Sequence, residues 1–269
     1  MNKIKKAVLL LTCFFMAACS SAAPVQDKQE KEINPQAVET IKEKGKLVVG
    51  VKTDVPGLSY LDGEEFTGLE VELAYKSAAK IFEVSVEEAK EKGLVELVGV
   101  NVDNREKMLE NGDVDVLFAT YTITKERQEK FALSNSYYKD YIGLMVKKEV
   151  ADNDALGSKA IHSIADLDGK IIGVPKKATT RKAFLNYIDT MNTVKVSPIF
   201  NEYTSYNALF KALKAGDIDV MSVDVSILNG YLDSSTTILA DRFAGQNYGA
   251  AVTFENEALL TFINQAIDE

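Results

Sequence analysis

The chain spells out one supersecondary unit twice, and that duplication limits the architectures open to it. Gly45-Lys-Leu-Val-Val-Gly-Val-Lys52 is followed by Asn111-Gly-Asp-Val-Asp-Val116, and Gly169-Lys-Ile-Ile-Gly-Val-Pro-Lys176 by Ala215-Gly-Asp-Ile-Asp-Val220. In each copy a β-branched apolar run of strand length precedes helical patterning and then a second apolar run. Strands that are apolar throughout are buried on both faces of a parallel sheet, and ligands of such sheets sit beyond the strand carboxyl ends. The prediction is therefore an α/β chain of two lobes, each a mostly parallel sheet flanked by helices, with a cleft between them.

The coarse element pattern fills in this plan. Asn34-Pro35 opens a helix, with proline at its first position, that closes at Gly45. The first strand ends near Lys52, turns follow at Pro56-Gly57 and Asp62-Gly63, and Gly68 to Phe82 carries the apolar spacing of an amphipathic helix. Leu94 to Val100 reads as a strand, Asn104 to Glu110 as a helix capped by Gly112, and Val114 to Ala119 as a strand. The second copy runs through a strand ending near Val174, a helix from Thr179 to Met191, a strand from Val194 to Phe200, a helix from Tyr206 to Ala215 and a strand from Ile218 to Val223.

The N-terminus predicts export. Met1 to Lys6 is basic, and Ala7 to Phe15 is apolar but too short to span a bilayer, the pattern of a secretory leader. Met16-Ala17-Ala18-Cys19 resembles the recognition sequence of lipoprotein signal peptidase, which predicts a leader over 1–18, acylation of Cys19 and a polar tether over 19–33. A plain cut near Ala18 or Ala23 is the alternative. Cys13 would leave with the leader, so no disulfide is expected in the folded body. The net charge of −9, made more negative by removal of Lys3, Lys5 and Lys6, argues against nucleic acid as a partner.

Chemistry concentrates after Val116. Thr120 and Thr122 stand at a strand end, and Arg127 lies just inside the next helix, followed by Phe131-Ala-Leu-Ser-Asn-Ser-Tyr137-Tyr138. Hydroxyls, free backbone N–H groups and a forked guanidinium suit a carboxylate. In isolation the same residues would read as an N-capped helix with a surface arginine.

Together with Gly68-Leu-Glu-Val-Glu-Leu-Ala74 and Asn111-Gly-Asp-Val-Asp115, this segment resembles the family 3 extracellular solute-binding proteins of amino-acid ABC importers, from about Lys46 onward. The resemblance implies a type II periplasmic-binding-protein-like fold, with 34–139 plus 249–269 as lobe one and 140–248 as lobe two. It also implies site roles: Arg127, Thr122 and the backbone near Thr120 on the ligand α-carboxylate, Thr179 and Thr180 supporting them from lobe two, and Asp224 on the α-ammonium. Lys177 stands where the family usually has glycine.

Where relatives that bind glutamine, histidine or lysine commonly carry an acid, this chain has Lys52, and Arg105 begins a helix at the cleft edge. Two cations facing a closed cleft would call for a second carboxylate, as in the aspartate- and glutamate-binding members. The alternative is that Lys52 pairs with Asp54 or Glu70, and Arg105 with Glu106 or Glu110, on a solvated face. The expected protein is a monomeric, extracytoplasmic receptor, lipid-anchored to the outer face of the membrane, that closes on glutamate or aspartate and docks on an ABC permease. Glutamine binding, or a sensing or adhesive lipoprotein, are the alternatives. The crossing strands are expected near Tyr138 to Gly143 and Gln246 to Ala251, with Gly143 and Gly249 easing the hinge. No cofactor, metal or catalytic residue is expected: the single histidine, His162, reads as a loop residue, and no nucleophile stands beside a base.

Overall fold

The computed structural model describes residues 35–151, 153–191 and 195–269. The leader and the whole tether, with Cys19, lie outside the described residues. The first half of the chain runs α1 (Gln36–Lys44), β1 (Leu47–Lys52), β2 (Asp54–Val55), β3 (Ser59–Asp62), β4 (Glu65–Thr67), α2 (Leu69–Phe82), α3 (Val86–Glu91), β5 (Val95–Val100), α4 (Arg105–Glu110), β6 (Val116–Phe118), α5 (Lys125–Gln128) and β7 (Ala132–Leu133). The second half runs β8 (Tyr138–Lys147), α6 (Lys148–Ala151), β9 (Ile171–Pro175), α7 (Thr180–Thr190), β10 (Ile199–Tyr203), α8 (Tyr206–Ala215), β11 (Val220–Asp224), α9 (Val225–Tyr231), β12 (Thr236–Ile238), β13 (Phe243–Tyr248), β14 (Ala251–Val252) and α10 (Leu260–Asp268).

These strands form two large sheets and one small one. The first has the order β5-β1-β6-β14-β7 and the second β10-β9-β11-β8-β12, with β13 also on β8. The repeated strands are central and parallel to their neighbours: β1 lies between β5 and β6, and β9 between β10 and β11. All six residues of β1 are buried, which is why it reads as an unbroken apolar run.

The repeated Gly-Asp-x-Asp motif has the same job in both copies. Asp115 Oδ2 accepts the Val48 N–H at 2.8 Å, and Asp219 Oδ2 accepts the Ile171 N–H at 2.8 Å. Each acid thereby fixes the register of the loop against the start of the repeated strand. Helix α1 ends as expected on Gly45, at φ 73°, but Pro35 occupies the N-cap position rather than the first helical one.

Two other differences have plain causes. The turns at Pro56-Gly57 and Asp62-Gly63 belong to a small antiparallel sheet, β2-β3-β4, whose strands are too short to show alternation. The strand expected from Val194 begins only at Ile199, because Pro198 precedes it and has no N–H to give to the ladder.

The chain crosses between sheets twice, after β7 into β8 and after β13 into β14, and β8 and β13 pair antiparallel with Tyr138 opposite Tyr248. Gly143 and Gly249 are not among the glycines with positive φ. Their role here is close approach: a Cβ would come within 2.8 Å of Val225 Cγ2 at Gly143 and 2.9 Å of Ile123 Cδ1 at Gly249. One apolar cluster joins the two halves, packing Val55, Leu58 and Val102 with Met145, Tyr206, Leu209 and Leu228.

Candidate functional site

The segment from Thr120 to Arg127 is held by three devices. Thr124 caps α5 by accepting the Arg127 N–H, which orients the short helix so that Arg127 turns inward and is buried. Arg127 Nη1 donates to the Thr122 carbonyl at 2.8 Å. The Arg127 guanidinium lies 3.9 Å from the Tyr121 ring centroid, and that of Arg105 lies 4.9 Å from the same centroid. Tyr121 is thus a shared aromatic platform for two like charges. Its hydroxyl donates to Glu106 Oε1 at 3.0 Å, and Glu106 lies 3.6 Å from Arg127 Nε.

Thr120 adopts φ 46°, a region costly for a β-branched residue. Glu70 holds it there. Wholly buried, its carboxylate accepts the Thr120 N–H at 2.5 Å, the Tyr137 hydroxyl at 2.5 Å and the Ser59 hydroxyl at 2.6 Å. The turned chain sends the Ala119 and Thr120 carbonyls to Arg105 Nη1. Arg105 Nε and Thr120 Oγ1 are left buried without partners.

Lys52, at the end of β1, is wholly buried and sits 4.7 Å from the Tyr206 ring centroid. It is not a free cation: Asp54 Oδ1 lies 2.8 Å away, although neither atom makes an aligned hydrogen bond. The pairing with Asp54 therefore holds, whereas the solvated face does not. Arg105 pairs with neither Glu106 nor Glu110, and its side chain is buried against carbonyls. Asp54 also accepts the Tyr206 N–H at 2.9 Å, and its carbonyl accepts the Tyr231 hydroxyl at 2.7 Å.

From the second sheet, Thr180 is buried as the first residue of α7, and Thr179 donates to Gln246 Oε1 at 3.0 Å. Thr122 donates to the same oxygen at 2.8 Å, so Gln246 joins the two threonine segments. Lys177 keeps the conformation a glycine would supply, with φ 56°. Its ammonium lies 2.9 Å from both the carbonyl and Oδ1 of Asp103. Asp224 ends β11 and accepts the Tyr248 hydroxyl at 2.5 Å. Seven of the eight predicted residues are thus buried, and the eighth, Thr179, is linked to Thr122 through Gln246.

Burial shapes the electrostatics. It pushes the Asp224 carboxyl up to about 7, with the Tyr248 hydrogen bond opposing and the charge of Asp140 adding to the rise. It lowers Arg127 to about 10, with the charge of Arg105 adding. It lowers Lys52 against the attraction of Asp54, and raises Glu70 against its three donors. A groove of about 1020 Å³ runs beside this region and touches Glu106, Thr122, Arg127, Thr179 and Gln246, but not Lys52, Arg105 or Asp224. Among the described residues no group of three or more His, Cys, Asp or Glu side chains could hold a metal ion.

Cations and hydroxyls on one side and an acid on the other suit a zwitterion held between two sheets. Comparison with known proteins agrees. Residues 47–269 match the model of the bacterial extracellular solute-binding proteins, family 3. The chain belongs to that family. A glutamine-binding protein from Geobacillus stearothermophilus is 30% identical to this solute-binding protein over 254 residues, covering 90% of this chain and 88% of its own. The glutamate-binding protein GluB of Corynebacterium efficiens is 26% identical over 235 residues, covering 84% and 74%. An arginine-bound substrate-binding protein of an amino-acid ABC transporter from Streptococcus pneumoniae shares the fold, with a TM-score of 0.71 at 21% identity, covering 86% of this chain and 90% of that one. As a member of that family this chain is an extracellular solute-binding protein rather than an enzyme, and the relatives named here bind amino acids.

Sequence reasoning missed Glu70, Tyr121, Tyr206, Gln246, Tyr248 and Asp140 as parts of this region. Glu70 and Tyr121 lay inside motif segments, and Asp140, Gln246 and Tyr248 inside the expected crossing strands, but none was given a place in the site. Asp140, Gln246 and Tyr248 reach it through sheet pairing and Tyr206 through the N-terminus of α8, and neither leaves a local signal of a side chain's partner.

Proposed function

We propose that this protein captures glutamate or aspartate by closing around it and delivers the amino acid to a membrane permease. The observation that carries this reading is the state of the two buried guanidiniums. Arg105 Nε is buried without a partner, and Arg127 Nε reaches Glu106 only at 3.6 Å, so both have donors to spare for ligand carboxylates, while Asp54 offsets Lys52 and Asp224 is left for the ligand ammonium. The buried Glu70 carboxylate accepts from Ser59, Thr120 and Tyr137 rather than from either arginine. A neutral ligand would leave the Arg105 Nε donor desolvated and unmet. The relatives' names span glutamine and glutamate, so the family alone does not choose between them.

Calorimetric titration with glutamate, aspartate, glutamine, arginine and cystine tests the reading. The expected result is micromolar affinity, about −8 kcal/mol, for an acidic amino acid. Arg105→Ala is expected to weaken it by about 2–5 kcal/mol, as for a desolvated charge pair. Tight binding of glutamine by the parent protein would sink the acidic assignment. The leader supports lipid anchoring at Cys19, which predicts incorporation of labelled fatty acid that Cys19→Ser abolishes. The lobe boundaries remain 34–139 with 249–269, and 140–248.

A further inference from the structure

Tyr248 occupies the point where the chain leaves the second sheet for the first. Its main chain belongs to the carboxylate-binding side: it bridges Thr122, its carbonyl accepts the Tyr137 N–H at 2.9 Å, and the neighbouring Gly249 N–H reaches the Tyr121 carbonyl at 3.0 Å. Its side chain belongs to the other side. The wholly buried ring stacks on Tyr138 at 5.7 Å, and the hydroxyl donates to Asp224 Oδ2 while lying 3.4 Å from Asp140 Oδ2. Asp140 is itself fixed at the start of α9, accepting the Ser226 N–H at 2.9 Å.

We infer that Tyr248 is a positioning residue for amino-acid recognition: its hydroxyl orients Asp224 and holds it ionised, ready for the ligand ammonium, while Asp140 opposes that ionisation. This inference rests on the reading of Asp224 as the ammonium site. A phenol is suited to the task. It donates one proton to the nearer carboxylate without adding a charge, so Asp224 keeps an oxygen and its full negative charge for the ligand. Asp140 on β8, Tyr248 on β13, Arg105 on α4, Arg127 on α5 and Tyr206 on α8 are the groups that act on or feel the Asp224 charge. Among them only Tyr248 makes a hydrogen bond to the Asp224 side chain and also pairs, through its backbone, with the loop bearing Thr122. The arrangement places the two head-group sites of the ligand on opposite ends of one residue.

The test has a ligand-free and a ligand-bound arm on the full-length protein. In the free protein, carbonyl-carbon NMR of labelled aspartates follows the Asp224 midpoint, assigned with Asp224→Asn. Tyr248→Phe is expected to raise that midpoint and Asp140→Asn to lower it; an unmoved midpoint in Tyr248→Phe overturns the inference whether or not glutamate binds. In the second arm, glutamate and glutarate are titrated across pH 6 to 9. Glutarate has both carboxylates and no ammonium, so it does not use Asp224. A one-unit rise in the midpoint predicts about tenfold weaker glutamate binding by Tyr248→Phe at the acid end, recovered at the alkaline end, with glutarate unchanged. Equal losses for both ligands at every pH would mean general damage and would overturn the inference. Failure of the parent to bind glutamate at all would instead count against the acidic-ligand reading.

Discussion

A single carboxylate shows how recognition and stability oppose each other in this cleft. Asp224 is raised by burial to about 7, far above the ordinary aspartate value of about 4. The folded, ligand-free state therefore holds this proton more tightly than the unfolded chain does. The resulting stabilisation is complete below about pH 4 and fades as pH rises through about 7. Asp224→Asn mimics the protonated acid. Thermal denaturation of the ligand-free variant is expected to lose this pH dependence and to give a higher Tm at pH 8, by about 2–4 °C per kcal/mol released, while amino-acid binding disappears. A parent and variant with superimposable Tm–pH curves would remove Asp224 as the source. The inward placement of Arg127 and Asp224 was legible only through the resemblance of the motifs around them, since taken alone each would read as a solvated residue at the end of an element. The state of Lys52 was only half legible: its burial followed from the strand, but Asp54, two residues on, could be assigned to it only once the turn geometry was known.

At the level of elements, the duplication was legible because it is written in glycines and acids with equivalent tasks. Gly50 and Gly173 occupy matching places in β1 and β9, and each faces the loop residue that precedes its register-fixing aspartate. A Cβ on Gly50 would meet Leu117 Cδ2 at 2.7 Å, and one on Gly173 would meet Ile218 Cδ1 at 2.3 Å and Leu209 Cδ2 at 2.7 Å. Gly173→Ala must displace two buried side chains and Gly50→Ala one. Chemical denaturation should rank the two, with Gly173→Ala nearer the upper end of the roughly 1–3 kcal/mol cost of overpacking and Gly50→Ala nearer the lower. Equal stabilities for parent and Gly173→Ala would show that Leu209 and Ile218 relax freely. The β2-β3-β4 sheet was not legible, since two- to four-residue strands carry no period, and neither was the late start of β10, which Pro198 sets from outside the strand.

For the whole molecule, contacts that cross between the halves at several places would support the proposed closure. Lys177 meets Asp103, Lys182 meets Glu126 at 3.3 Å, and Asp54 meets the start of α8. The lysine pairs are exposed and the Asp54 contact is not, so they should differ in weight. Lys177→Ala is expected to speed ligand dissociation by no more than about fivefold, the range of an exposed pair, and to reduce its dependence on salt. Stopped-flow release at two ionic strengths would show this, and an unchanged salt dependence would mean that the pair contributes nothing to the closed state. The two-lobed plan was legible from the repeat, but the tyrosines at the crossings were not, because their partners are set by pairing between distant strands.

The burial of Lys52, Arg105, Thr120 and Asp224, none of which lines the groove, has a consequence for transport. If Arg105 and Asp224 hold the ligand as proposed, a molecule closed over it is sealed: solute outside cannot displace solute within, however abundant it is. Exchange happens only during open intervals, so the dwell time of the closed state, rather than competition at the site, would set how faithfully a cargo picked up in the surroundings reaches the membrane.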